Sequence, residues 1–141
     1  LRPVRASSRN MIVADASGGI ADLELTVDDH RVLRPERGAL IHTNHYVAPG
    51  LENSDKYVPE SSRHRYDRMT HLIQSADRPL GVEDLQEFFR DHDGFPGSIC
   101  AHVREGSTSK TVASLISEPA SGRLHAAFGN PCEHEYAVYA F

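Results

Sequence analysis

Gly38-Ala39-Leu40-Ile41-His42-Thr43-Asn44-His45-Tyr46 is an apolar run that ends in a cluster of polar side chains. Such a run is how a buried strand delivers polar groups to a site, and residues 39–45 are expected to form one. In extended chain Thr43 and His45 face one way, His42 and Asn44 the other. An Asn at a strand end is most often a hydrogen-bonded turn former. Its side-chain NH₂ is also a suitable donor to the oxyanion that develops on a carbonyl during acyl transfer. His42 and His45, at i and i+3, point to opposite faces of a strand, and no CxxC or HExxH accompanies them. No metal is therefore expected, and no other cofactor.

Upstream, residues 10–15 and 20–27 are two β-rich runs separated by Ala16-Ser17-Gly18-Gly19, the pattern of a hairpin. In the second run Leu23, Leu25 and Val27 alternate with Asp22, Glu24 and Thr26, which predicts a buried apolar face and a solvated acidic one. A short strand is expected at 31–34, then a turn at Pro35-Glu36-Arg37-Gly38. Downstream, residues 47–60 carry Pro, Gly, Asn and Asp without a period and read as a loop.

Ser61 or Ser62 offers an N-cap hydroxyl to a helix running to residue 75, with Tyr66, Met69, Leu72 and Ile73 at helical spacing. A second helix is expected over 82–90, with Val82, Leu85, Phe88 and Phe89 as its stripe. Strands follow at 98–103, at 111–117 and 123–128 as a hairpin around Glu118-Pro119-Ala120-Ser121-Gly122, and at 136–141. Strands, two helices, then strands define an α+β chain with largely antiparallel pairing.

At 141 residues the chain has the size of one domain. Net charge is −5 and the 15 Lys and Arg are scattered, clustering only at Arg63, Arg65 and Arg68, so no nucleic-acid partner is expected. No apolar run approaches the roughly 20 residues of a membrane span, and no apolar stretch follows the basic start to make a secretory leader. Two cysteines, Cys100 and Cys132, make no disulfide framework, which points to a reducing, cytoplasmic location. Cys100, in an apolar run, reads as an inert buried thiol. Cys132 and His134 face the same side of an extended segment, but a Cys-His hydrolase built on them lacks a third orienting group.

The nine histidines are dispersed. Asp91-His92-Asp93-Gly94 lacks the closing Glu of a calcium loop and reads as a helix C-terminal turn. Ser61-Ser62-Arg63-His64-Arg65-Tyr66-Asp67-Arg68 is the densest polar cluster. It suits either a solvated face with an Arg63–Asp67 pair or arginines that orient a carboxylate at a helix start.

Several stretches in series carry a resemblance: Ser8-Arg9-Asn10-Met11-Ile12-Val13-Ala14-Asp15, Asp22-Leu23-Glu24-Leu25, His42-Thr43-Asn44-His45-Tyr46 and Ser62-Arg63-His64-Arg65-Tyr66. Asp91-His92 before Ser98-Ile99-Cys100, Thr111-Val112-Ala113-Ser114 and Gly129-Asn130-Pro131-Cys132 continue it. In order and spacing they resemble the C-terminal half of the peptidase C45 family. These are autoproteolytic N-terminal-nucleophile (Ntn) hydrolases of the acyl-coenzyme A:6-aminopenicillanic acid acyltransferase type.

The resemblance implies an αββα sandwich and a Cys nucleophile exposed at a new N-terminus, whose α-amine acts as its base. It implies that Asn44 is the oxyanion-hole residue and that Arg63 is similar to the active-site arginine of related amidases. His42, His45 and Tyr46 then belong to the substrate pocket, for an acyl amide or acyl thioester. Because the chain starts Leu1-Arg2-Pro3, the nucleophile is expected on an upstream segment or other subunit, with roughly a hundred residues there. By itself the chain is then expected to be inactive and prone to association. The alternative is a non-catalytic scaffold or interaction module of the same fold.

Overall fold

The computed structural model describes residues 5–106 and 108–141. Two three-stranded antiparallel meanders flank two helices in the chain. The first sheet has the order β1 (Arg9–Ala14), β2 (Ile20–Leu25), β3 (His30–Leu33). The helices are α1 (Glu60–Gln74) and α2 (Val82–Phe89). The second sheet has the order β4 (Ala113–Glu118), β5 (Arg123–Phe128), β6 (Ala137–Ala140). The α+β class with antiparallel pairing is as the sequence predicts.

The hairpins form where turn chemistry demands them. Asp15 Oδ1 accepts from the Ser17 N–H at 2.7 Å, the Ser17 hydroxyl at 2.6 Å and the Gly19 N–H at 3.0 Å. Gly18 takes the positive φ of 88° that such a turn needs. These bonds hold the Asp15 carboxyl below its ordinary range, the Ser17 hydroxyl contributing most. At α2, the Asp84 carboxylate accepts the Gly81 N–H at 2.8 Å, satisfying a helix-start donor.

Three expectations are corrected. The stretch 39–45 is not a strand: only an isolated bridge, Glu36 with Ala39, marks it, and residues 98–103 likewise form no strand. In the first case side chains take up the backbone donors that a ladder would have used. Asn44 N–H goes to Ser62 Oγ at 2.8 Å and Tyr46 N–H to Asp55 Oδ2 at 2.8 Å. Val47 and Ala48 N–H go to the two oxygens of Glu24 at 2.7 and 3.0 Å.

The second correction concerns β2, where the acidic face is the buried one. Asp22 and Glu24 are fully buried and Thr26 nearly so, whereas Leu23 and Leu25 are half-buried and Val27 is exposed. Alternation shows that the faces differ, not which one is covered. Here the covered face binds a neighbouring loop through carboxylates. Third, α1 begins at Glu60 after Pro59, so neither Ser61 nor Ser62 caps it. Ser62 sits inside the first turn, and its hydroxyl serves the 42–45 segment instead.

Hydrogen bonds link the elements in sequence. Arg68 of α1 donates to Asp91 Oδ2 at 3.1 and 2.6 Å, and Arg90 after α2 donates to Pro131 O at 2.9 Å beside the Tyr136 ring. Among the described residues the buried apolar side chains are few and mostly small: Ala21, Ala48, Leu51, Cys100, Ile116, Ala126 and Ala127. No helix among the described residues is long and apolar enough to cross a membrane.

Candidate active site

Segment 42–48 is clamped from both sides. On the sheet side His42 Nε2 lies 2.8 Å from Glu24 Oε1, so that one buried carboxylate meets three nitrogens. Asp22 beside it accepts from Asn10 Nδ2 at 2.5 Å, and its Oδ2 has no partner among the described residues. Asp22, Glu24 and His42 bring donor atoms within 4.8 Å of one another, but Glu24 is already occupied by its three partners and acts as a hydrogen-bond hub.

On the helix side Ser62 Oγ, fully buried, meets His45 Nδ1 at 2.8 Å, Thr43 Oγ1 at 3.1 Å and the Asn44 N–H. Thr43 Oγ1 also donates to Ser62 O at 3.0 Å. Thr43 and His45 thus converge on α1 while His42 turns to β2; Asn44, expected on the His42 side, meets α1 as well, so the alternation of extended chain is not kept. Burial, then the charges of Arg63 and His42, lower the His45 pKa below the ordinary imidazole value, which keeps the ring neutral.

Asn44 is exposed, and its Oδ1 accepts from Arg65 Nη2 at 2.8 Å. A guanidinium has only donors, so the amide oxygen must be the atom that faces it. The Asn44 NH₂ is thereby turned away from Arg65, and among the described residues it makes no hydrogen bond. Asn44 and Arg65 line a cleft of about 370 Å³ whose walls include Ile99, His102, Arg104 and Lys110. An adjoining cleft of about 380 Å³ lies between Tyr57, His64 and Phe95.

Of the five residues that the resemblance assigns to the site, Asn44, Arg63, His42, His45 and Tyr46, Asn44 alone lines one of the two clefts. His42 and His45 hold the segment as described, and the Tyr46 hydroxyl donates to Leu25 O at 3.0 Å. Arg63 is exposed on α1, without a hydrogen bond among the described residues and without the Asp67 pair that its spacing offers. The arginine that touches Asn44 is Arg65, two places on, a member of the polar cluster to which the sequence reading gave no role of its own. Its i+3 offset from Ser62 on one helix was the available signal.

The cysteines occupy a second cluster. Cys132 Sγ lies 3.4 Å from Cys100 Sγ and 3.5 Å from His102 Nε2, and His134 is not its partner. Partial burial, then the Cys100 thiol, push the Cys132 thiol up to about 11, the opposite of an activated nucleophile.

A carboxamide locked with its NH₂ outward beside a cleft suits acyl-transfer chemistry. The profile of the acyl-coenzyme A:6-aminopenicillanic acid acyl-transferase family matches residues 3–133, and the chain belongs to that family. A relative, the acyl-coenzyme A:6-aminopenicillanic-acid-acyltransferase 40 kDa form of Emericella nidulans, is 27% identical over 96 residues, 67% of this chain. The matched region is 26% of that relative's length.

Proposed function

We propose that this chain is the C-terminal part of an Ntn-type amidohydrolase or acyltransferase and supplies the oxyanion-hole side chain to a Cys on an upstream segment. The observation that carries the reading is the Arg65–Asn44 hydrogen bond of 2.8 Å, which fixes the amide with its NH₂ available beside the cleft. The upstream thiolate attacks the carbonyl carbon of an amide or thioester, and Asn44 donates to the oxygen as it becomes negative. The amine or thiol leaves with a proton from the α-amine base, and water or an acceptor amine then takes the acyl group.

Arg63 is the second residue assigned to the site, its guanidinium available to an anionic group of the substrate. The open strands support an incomplete sandwich: Met11, Ile12 and Val13 on β1, and Val138 and Tyr139 on β6, are exposed apolar residues that an αββα arrangement would cover.

In the complete protein, Asn44→Ala is expected to slow acylation by on the order of a hundredfold with the fold intact, and Asn44→Asp by more, since a carboxylate repels the developing charge. Single-turnover acylation kinetics test this. Unchanged acylation in Asn44→Ala removes the residue from the mechanism.

A further inference from the structure

Four side chains, three from the loop after α2 and one 30 residues beyond the last of them, bring metal-binding atoms together: His92, Cys100 and His102, and Cys132 between β5 and β6. All four donor atoms lie within 4.8 Å of one another. The separations are 3.4 Å for Cys100 Sγ to Cys132 Sγ, 3.7 and 3.5 Å from those sulfurs to His102 Nε2, and 3.0 Å between the Nε2 atoms of His92 and His102.

A tetrahedron with zinc–sulfur bonds of about 2.3 Å and zinc–nitrogen bonds of about 2.0–2.1 Å has edges of about 3.8 Å between sulfurs, 3.6 Å mixed and 3.3 Å between nitrogens. Each of these four separations comes within about half an ångström of its ideal. Thiols are weak hydrogen-bond donors, so hydrogen bonding gives little reason for two sulfurs and an imidazole nitrogen to gather this closely. Converging lone pairs are what a cation requires.

We propose that His92, Cys100, His102 and Cys132 form a four-coordinate structural zinc site. Two thiolates and two neutral imidazoles around Zn²⁺ carry no net charge, so the ion is held without an uncompensated charge at the buried Cys100. Binding displaces the two thiol protons to solvent and forms two zinc–sulfur and two zinc–nitrogen bonds.

Supporting groups of the usual kind surround it. Asn130 Nδ2 donates to Cys100 Sγ at 3.4 Å and to Ala101 O at 2.7 Å, and Glu133 Oε1 lies 3.9 Å from His102 Nδ1. With four protein ligands there is no open position, so the metal stabilises structure and does not activate water. It ties the loop after α2 to the β5–β6 connection, and through His102 it braces the wall of the cleft that holds Asn44.

The test uses the complete protein, purified with its thiols reduced. Elemental analysis is expected to find about one zinc per chain, and Cys100→Ser, Cys132→Ser and His92→Ala each to lose it, while His134→Ala retains it. Removing zinc with a chelator should lower Tm, and re-adding zinc should restore it. Should the Cys variants fail to fold, cobalt substitution of the wild type decides: intense visible bands of tetrahedral Co²⁺ with a thiolate charge-transfer band are expected. Reduced wild-type protein that binds neither zinc nor cobalt overturns the proposal. So does full zinc content in both Cys variants.

Discussion

Three arginines of α1 differ in what they touch, and their substitutions are expected to differ accordingly. Arg65 meets Asn44 Oδ1, so Arg65→Ala frees the amide to rotate and is expected to lower kcat with little change in KM. The loss is bounded by that of the oxyanion donor itself, on the order of a hundredfold. Arg63 has no internal partner among the described residues, and Arg63→Ala is expected to act mainly on KM. Arg68 pairs with Asp91, so Arg68→Ala is expected to lower the denaturation midpoint and leave both constants nearly unchanged. Steady-state kinetics on the complete protein would expose the error if Arg63 and Arg65 behaved alike.

His45 adds a pH dependence. Its folded pKa lies below the ordinary value of about 6.5, so below that pH the unfolded chain takes up the proton first. This contribution to stability is intact above about pH 6.5 and declines as pH falls through the folded value. Wild type is expected to lose stability relative to His45→Asn between neutral pH and about pH 5 in urea titrations, and parallel curves would refute it.

At the scale of elements, turn chemistry made most of the fold legible. Asp15 with Gly18, the Glu118-Pro119-Ala120-Ser121-Gly122 turn and the apolar stripe of α2 place the hairpins and that helix within a few residues of where they lie. What was not legible needed partners from far along the chain. Glu24 is buried because His42, Val47 and Ala48, 18 to 24 residues on, bring it three donors, and no local pattern shows that. The same holds for the metal-ligating cluster, whose members look dispersed until the loop after α2 meets the β5–β6 connection. Glu24→Gln replaces one acceptor oxygen with a donor facing an N–H, and is expected to cost about 1–3 kcal/mol by urea denaturation. A change within error would mean that the 42–48 segment does not depend on this carboxylate.

Across the whole molecule, the two sheets, α1 and the loops between them are joined mainly by polar side chains and by few large apolar contacts. Ser62, Glu24, Arg68 and Arg90 make the links, and the buried apolar residues are mostly alanines. Hydrophobic burial normally dominates the stability of a domain this size. The exposed apolar residues of β1 and β6 therefore mark where further packing is expected in the complete protein. Asn44 stands out in the sequence because an amide at the end of an apolar run is a local signal. The partner that orients it does not, because it lies 21 residues away on α1.

The side-chain capture of backbone donors between Asn44 and Ala48 has a consequence for solvent isotope exchange. Amides in an irregular segment ordinarily exchange fast, whereas those of Asn44, Tyr46, Val47 and Ala48 each rest on a hydroxyl or carboxylate. In deuterated water these four amides are expected to be slow within a stretch whose flanks are fast. Glu24→Gln should release Val47 and Ala48 selectively and Ser62→Ala should release Asn44. The exchange rate of the Asn44 amide then serves as a clock for opening of the clamp, read at the residue that faces the cleft.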